Sequence, residues 1–215
     1  MTVEKFDKQI MVIDRATLFA DKYFQGFCPA AEMDYRRIID DNYFFKRRGD
    51  AEPDPVFKQP IPYVIIVNKE TKHIFAYQRS ATDSYHEQRL RGKWSWGIGG
   101  HVDKVEPPQS DPLLVSLHRE ISEEVDLQEY EEPVLLGYIN DDQTQVGAVH
   151  FGLLYLVQTS VKKIRPKDKE ISWGGFMSYD QLEEICLIND GQVETWSEIA
   201  LEPIRHALGI EEMLP

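Results

Sequence analysis

Cysteine is nearly absent. Cys28 and Cys186 are the only two in 215 residues, too few and too far apart for a disulfide framework, so the fold must be held by a core and both thiols are expected to be reduced. Long apolar runs are missing as well. The richest stretches, YVIIV at 63–67 and FGLLYLV at 151–157, fall far short of the roughly 20 residues that a membrane-crossing helix needs. The start of the chain, MTVEKFDKQIMVID, has no basic segment leading into an apolar one with a cleavage site, so a cytoplasmic location away from membranes is expected. Positive charge is scarce, with 24 Lys and Arg against 37 Asp and Glu and a formal net charge of −13. Binding long nucleic acid by neutralising its phosphates requires a basic face, which excludes that class of partner. Repeats and low-complexity tracts are absent too.

The chain is 42% hydrophobic, enough for one good core with material left for an extension. The EPDP run at 52–55 reads as a boundary. Residues 1–55 are therefore expected to form an N-terminal extension, with IMVIDRATLFA as strand and turn and a helix near Tyr35–Phe45. Residues 56–215 are expected to form the main domain. PYVIIVN and HIFAYQRS flank the turn KETK as two strands, and WSWGIGGHV leads into a glycine loop. VLLGYIN, VHFGLLYLVQ and EISWGGFMS read as further strands, and YDQLEEICL and TWSEIALEPIRHAL as helices. Strands and helices mix without strict alternation, as in an α/β fold.

Chemistry concentrates between Gly99 and Leu127. Ser110 or Asp111 can cap a helix whose first position suits Pro112. On that helix Glu120, Glu123 and Glu124 share one face, at about 0°, 300° and 40° on a wheel of 100° per residue. Leu114, Leu117, Ile121 and Val125 fall on a neighbouring stripe that can enter a core. Three carboxylates side by side repel one another unless a cation joins them. An all-oxygen cluster suits a hard divalent ion, Mg2+ or Mn2+, which also takes oxygens from a substrate phosphate.

Gly100, five residues, Glu106, twelve residues, then Arg119-Glu120-Ile121-Ser122-Glu123-Glu124-Val125-Asp126-Leu127 resembles the signature of the Nudix hydrolase family. That signature runs glycine, five residues, glutamate, seven residues, Arg-Glu-apolar-x-Glu-Glu-x-Gly-apolar. Here the loop before the helix carries five extra residues, within PPQSDP, and Asp126 stands in place of the last glycine, at a helix end where left-handed backbone is expected and Asp tolerates it. The resemblance implies a Nudix-like α/β/α sandwich over roughly residues 58–208, and hydrolysis of a nucleoside diphosphate linked to another moiety by metal-activated water. Glu120, Glu123 and Glu124 would be the metal ligands and catalytic residues. Arg119 and Glu106 would pair to hold the loop on the helix, and Gly100 would let backbone come close to metal or substrate.

His101, Arg79 and Glu170 are further candidates for substrate or extra metal contact. Each has a plainer reading: His101 as a solvated loop residue, Arg79 as part of a cationic run with Arg89, Arg91 and Lys93, and Glu170 as a member of the solvated KDKE run. Trp94, Trp96 and Trp173 are expected to fill the core or its edge, with one at most stacking on a base. About sixteen residues past the signature stand Gln143 and Thr144, where ADP-ribose pyrophosphatases have a proline and dinucleoside polyphosphate hydrolases a tyrosine. The partner is expected to be a small phosphorylated substrate, and a homodimer is common in the family. The alternative reading is a noncatalytic nucleotide-sensing protein, against which the intact glutamates stand. An isoprenoid diphosphate isomerase would need a positioned proton donor such as a cysteine, and neither Cys28 nor Cys186 lies near the signature.

Overall fold

The computed structural model describes residues 5–80, 91–106, 111–167, 171–188 and 191–210. They form an α/β fold with a mixed sheet, divided into two compact units. The first contains Met1–Tyr63, Gly99–Arg119 and Leu135–Leu154, and the second Val64–Ile98, Glu120–Val134 and Tyr155–Pro215.

Strands β4 (Phe57–Asn68) and β9 (His150–Thr159) are long enough to contribute residues to both units. Every position of β4 after Phe57 is buried, which is why it reads as a nearly unbroken apolar run and not as an alternation. Numbering rises together along the two strands. Gln59 N–H donates to Val149 O and Lys69 N–H to Thr159 O, so they run parallel, whereas the remaining pairs below are antiparallel.

In the first unit β1 (Gln9–Asp14) pairs with β3 (Phe44–Arg47), Gln9 opposite Arg47, and with β4, Ile13 opposite Lys58. Strand β2 (Gly26–Pro29) pairs with β8 (Val134–Asn140), Gly26 opposite Asn140. Two single-turn helices, α1 (Arg15–Leu18) and α3 (Arg48–Ala51), follow β1 and β3. Helix α2 (Tyr35–Asn42) starts where the Asp34 carboxylate accepts from Arg37 N–H and buries Tyr35 and Ile39. The Tyr35 ring meets Tyr138 at 5.1 Å and Phe151 at 5.4 Å between centroids, with Phe19 and Phe24 in the same cluster.

The described residues before position 56 lie within the first unit, which continues past them. Two sets of contacts tie them to later residues of that unit. Strand β1 hydrogen-bonds to β4, and the aromatic residues before position 55 pack on rings from β8 and β9.

In the second unit β10 (Ile171–Met177) pairs with β5 (Ile74–Arg79), which pairs with Val67 of β4 and with β6 (Trp94–Ser95). The expected KETK turn joins β4 to β5, with Asn68 Oδ1 accepting from Glu70 N and Thr71 N and Lys72 at φ 59°. Helix α5 (Tyr179–Ile188) and helix α6 (Thr195–Leu208) follow, the latter stopped by Gly209 in the left-handed conformation. Among the described residues no helix is long and apolar enough to cross a membrane.

Candidate active site

The signature helix, α4 (Pro112–Glu124), begins as its sequence dictates. Asp111 Oδ1 accepts from Leu114 N–H at 3.0 Å and Asp111 also pairs with Arg36 at 2.7 Å, while Pro112 takes the first helical position, where no N–H is needed. Leu113, Leu117, Ile121 and Val125 are fully buried, and Leu114 is only half-buried. The apolar stripe therefore starts at Leu113. On the same helix Glu120 is buried, Glu124 half-buried and Glu123 exposed, and helical spacing sets the three positions on one side of it. An all-carboxylate donor set of this kind fits a hard divalent cation.

The helix ends differently from the expectation. Asp126 is not left-handed: Lys72 is the one described non-glycine residue with positive φ. Asp126 N–H instead donates to Arg165 O and Lys167 N–H to Glu124 O, with Val125 bridged to Pro166 and Lys167 Nζ on Ser122 O. An adjacent extended segment satisfies the last carbonyls, so no glycine is required there.

The loop before the helix runs on from β7 (Gly97–Gly99). A side chain at Gly99 would place its Cβ 2.6 Å from Pro62 O, so the backbones meet there only because glycine has none. Lys104 N–H donates to Gln9 O and Met11 N–H to Val102 O, sewing the loop to β1. Arg119 donates to the His101 carbonyl at 2.9 Å and to Ser116 Oγ at 3.2 Å.

Arg119 therefore holds the glycine loop, but not through the expected glutamate. Glu106 is two-thirds exposed and pairs with Lys104 at 3.2 Å. The loop's main chain offers Arg119 a carbonyl, and Glu106 stays at the surface beside Lys104.

His101 is not a solvated loop residue. Its Nε2 lies 2.7 Å from Gln59 Oε1, 3.2 Å from His150 Nε2 and 3.6 Å from Glu52 Oε1. His150 Nδ1 is 2.6 Å from Val146 O, a contact that requires the proton on Nδ1 and leaves the Nε2 lone pair facing His101. Burial, followed by the mutual influence of the two rings and by Arg48, pushes His101 well below the ordinary histidine range. His150 is lowered as well, first by burial. Both imidazoles are neutral near pH 7.

Beneath them Lys58, fully buried, donates to Asp142 at 2.8 Å, to Gly147 O at 2.7 Å and to His150 O at 3.1 Å. Burial lowers Lys58 against the opposing pull of Asp142. For Asp142 the desolvation that would raise it is outweighed by bonds from Arg15, Lys58 and Tyr23, which hold the carboxyl well below its usual range.

Arg79 is tied to Glu194 and Tyr77. Trp96 is buried with Nε1–H on Ser197 O at 2.7 Å, and Trp94 packs edge-on against the half-exposed Trp173. Glu170 and Arg89 lie outside the described residues. Of the histidine cluster, sequence reasoning singled out only His101. Glu52, Gln59 and His150 come from three distant segments and leave no spacing signal, and Lys58 sits in a strand that otherwise reads as core.

No family model matches the chain. Protein YmaB of Bacillus subtilis (strain 168) is 36% identical over 207 residues, covering 92% of this chain and 98% of that protein, so the two share a family. The crystal structure of Tm1382, a candidate Nudix hydrolase, matches 95% of this chain and 100% of its own with TM-score 0.74 and 29% identity. The chain belongs to the Nudix hydrolase family. Membership places it among pyrophosphohydrolase-type enzymes, which act on acid anhydrides. At the level of fold alone, the Nudix domain of Shewanella oneidensis NrtR, solved with ADP ribose, matches at TM-score 0.53 and 14% identity, covering 70% of this chain and 88% of that one.

Proposed function

We propose that this Nudix protein is a metal-dependent hydrolase that cleaves the diphosphate linkage of a nucleoside diphosphate joined to another moiety. The observation that carries the reading is the carboxylate face of α4, Glu120, Glu123 and Glu124 graded from buried to exposed on one helix. These residues would hold Mg2+ or Mn2+, which supplies charge neutralisation on the phosphates and a lowered pKa for bound water. Glu120, the most buried, is anchored by the helix core. Glu123, exposed, and Glu124, half-buried, would meet the phosphorylated substrate through the metal. Arg119 fixes the loop after Gly100 through the His101 carbonyl, which orients the loop backbone without spending the arginine on substrate.

A homodimer and a cytoplasmic setting remain part of this reading. A nucleotide-binding relative supports the substrate class: NrtR's Nudix domain holds ADP ribose. The test is hydrolysis of a panel of nucleotide sugars, dinucleotides, dinucleoside polyphosphates and nucleoside triphosphates with magnesium and with excess chelator. Turnover of at least one diphosphate-linked compound that stops on chelation is expected. Binding of such compounds without any turnover would favour the noncatalytic sensor instead.

A further inference from the structure

Glu52, His101 and His150 bring one carboxylate oxygen and two imidazole nitrogens within 4.8 Å of one another in the first unit. We infer that these three side chains form a second metal site, for a borderline transition-metal ion of the Zn2+ class, separate in residues and in chemistry from the α4 carboxylates.

The spacing fits. With bonds of about 2.0–2.1 Å, neighbouring ligands on tetrahedral zinc stand about 3.3–3.4 Å apart. His150 Nε2 to His101 Nε2 is 3.2 Å and His101 Nε2 to Glu52 Oε1 is 3.6 Å. Glu52 Oε1, which also accepts from Arg48 Nε at 3.0 Å and Nη2 at 2.9 Å, completes the group within 4.8 Å.

The surroundings fit as well. Metal-bound histidines commonly donate their other ring N–H to a backbone carbonyl, which fixes the tautomer, and His150 Nδ1 is already on Val146 O. The His150 main chain is pinned from below, its carbonyl accepting from buried Lys58. As placed, His101 Nε2 donates to Gln59 Oε1 at 2.7 Å; to ligate the ion, His101 carries its single proton on Nδ1 instead and the Gln59 amide turns Oε1 away from the ring.

An independent observation comes from Gln59. It is fully buried with Oε1 against His101 Nε2, while its Nε2 has no hydrogen-bond partner. Buried amide N–H groups in native proteins nearly always have an acceptor. A water held on the fourth position of the ion would supply one.

Imidazole ligands prefer zinc-like ions, whereas carboxylates alone suit magnesium. The occupant would clip together the segment after α3, the signature loop and the start of β9, a structural role.

The test uses the full chain, stripped by chelator and then exposed to zinc in excess magnesium, which fills hard-oxygen sites. Metal analysis, competition against a chromophoric zinc chelator and thermal melting give three readouts. About one zinc per chain, a raised melting temperature and retention in the Glu120→Gln, Glu123→Gln, Glu124→Gln triple variant are expected. His101→Ala should weaken zinc at least about 100-fold and Glu52→Gln at least about 10-fold. Glu52→Gln keeps size and shape, so it decides the matter even where His101→Ala fails to fold. A folded parent that retains no zinc, or equal zinc affinity in folded Glu52→Gln, would overturn the site. Because the triple variant lacks the proposed catalytic carboxylates, zinc binding and hydrolysis fail independently.

Discussion

Replacing Asp142 with Asn should be one of the most damaging conservative changes in the chain. Among the described residues, Asp142 is the single carboxylate partner of Lys58, which is fully buried and otherwise meets the carbonyls of Gly147 and His150. Removing one member of such a pair strands the other, at a cost of about 3–5 kcal/mol. The second partner, Arg15, is one-third exposed, so its share is partly screened by solvent. For a chain of this length each kcal/mol moves the melting temperature by about 2–4 °C, so a fall of about 6–20 °C is expected. Urea unfolding of the parent, Asp142→Asn, Lys58→Met and the double variant gives the coupling directly. The double variant should be more stable than the sum of the singles by about 1–3 kcal/mol. The variant should also acquire a pH signature. With Asp142 gone, the folded pKa of Lys58 falls further below its unfolded value, so the unfolded state binds more protons and stability rises as pH is raised toward about 10. Loss of less than about 0.5 kcal/mol in Asp142→Asn, or simple additivity, would show that Lys58 is not held by this carboxylate.

Four other outcomes follow from the same geometry. Glu123→Gln and Glu124→Gln should each lower turnover by about 100-fold or more with the melting temperature nearly unchanged, because a ligand charge is lost while shape is kept. Arg119 and Glu106 should show a coupling energy within about 0.5 kcal/mol of zero in a double-mutant cycle, since Glu106 reaches Lys104 and Arg119 the His101 carbonyl. Asp111→Ala should cost about 1 kcal/mol in chemical denaturation through loss of the α4 cap. In the parent, Asp142 is held below the ordinary carboxyl range, so its contribution is complete above about pH 4 and is lost as the medium is acidified through its folded pKa. Acid unfolding followed by circular dichroism should shift to higher pH in Arg15→Met, which removes one of its donors.

Most elements were legible because their signals are local. The hairpin β4–β5 announces itself by a buried run, the Asn68 turn and a second apolar run. Helix α4 does so by Asp111, Pro112 and a periodic stripe. What escaped depended on contacts distant in sequence. The first 55 residues read as an extension because nothing in their spacing shows that β1 pairs with β4 or that Tyr35 meets Phe151. The EPDP run forms a turn, with Asp54 accepting from Val56 N–H. Glu106 matched the family spacing while its side chain was taken by Lys104. The left-handed helix end expected at Asp126 gave way to pairing with residues 165–167, some forty positions on. The histidine cluster was hidden for the same reason: Glu52, His101 and His150 belong to three segments that only the folded chain brings together.

The most direct measurement compares parent and Glu123→Gln on a diphosphate-linked nucleotide panel, with magnesium and with excess chelator, in water enriched in heavy oxygen. The parent should cleave at least one compound only when metal is present, with the label in one phosphorylated product, and the folded Glu123→Gln variant should be slower by about 100-fold or more. Full turnover with metal shown absent, or equal rates for parent and folded variant, would contradict the assignment of hydrolysis to the α4 carboxylates.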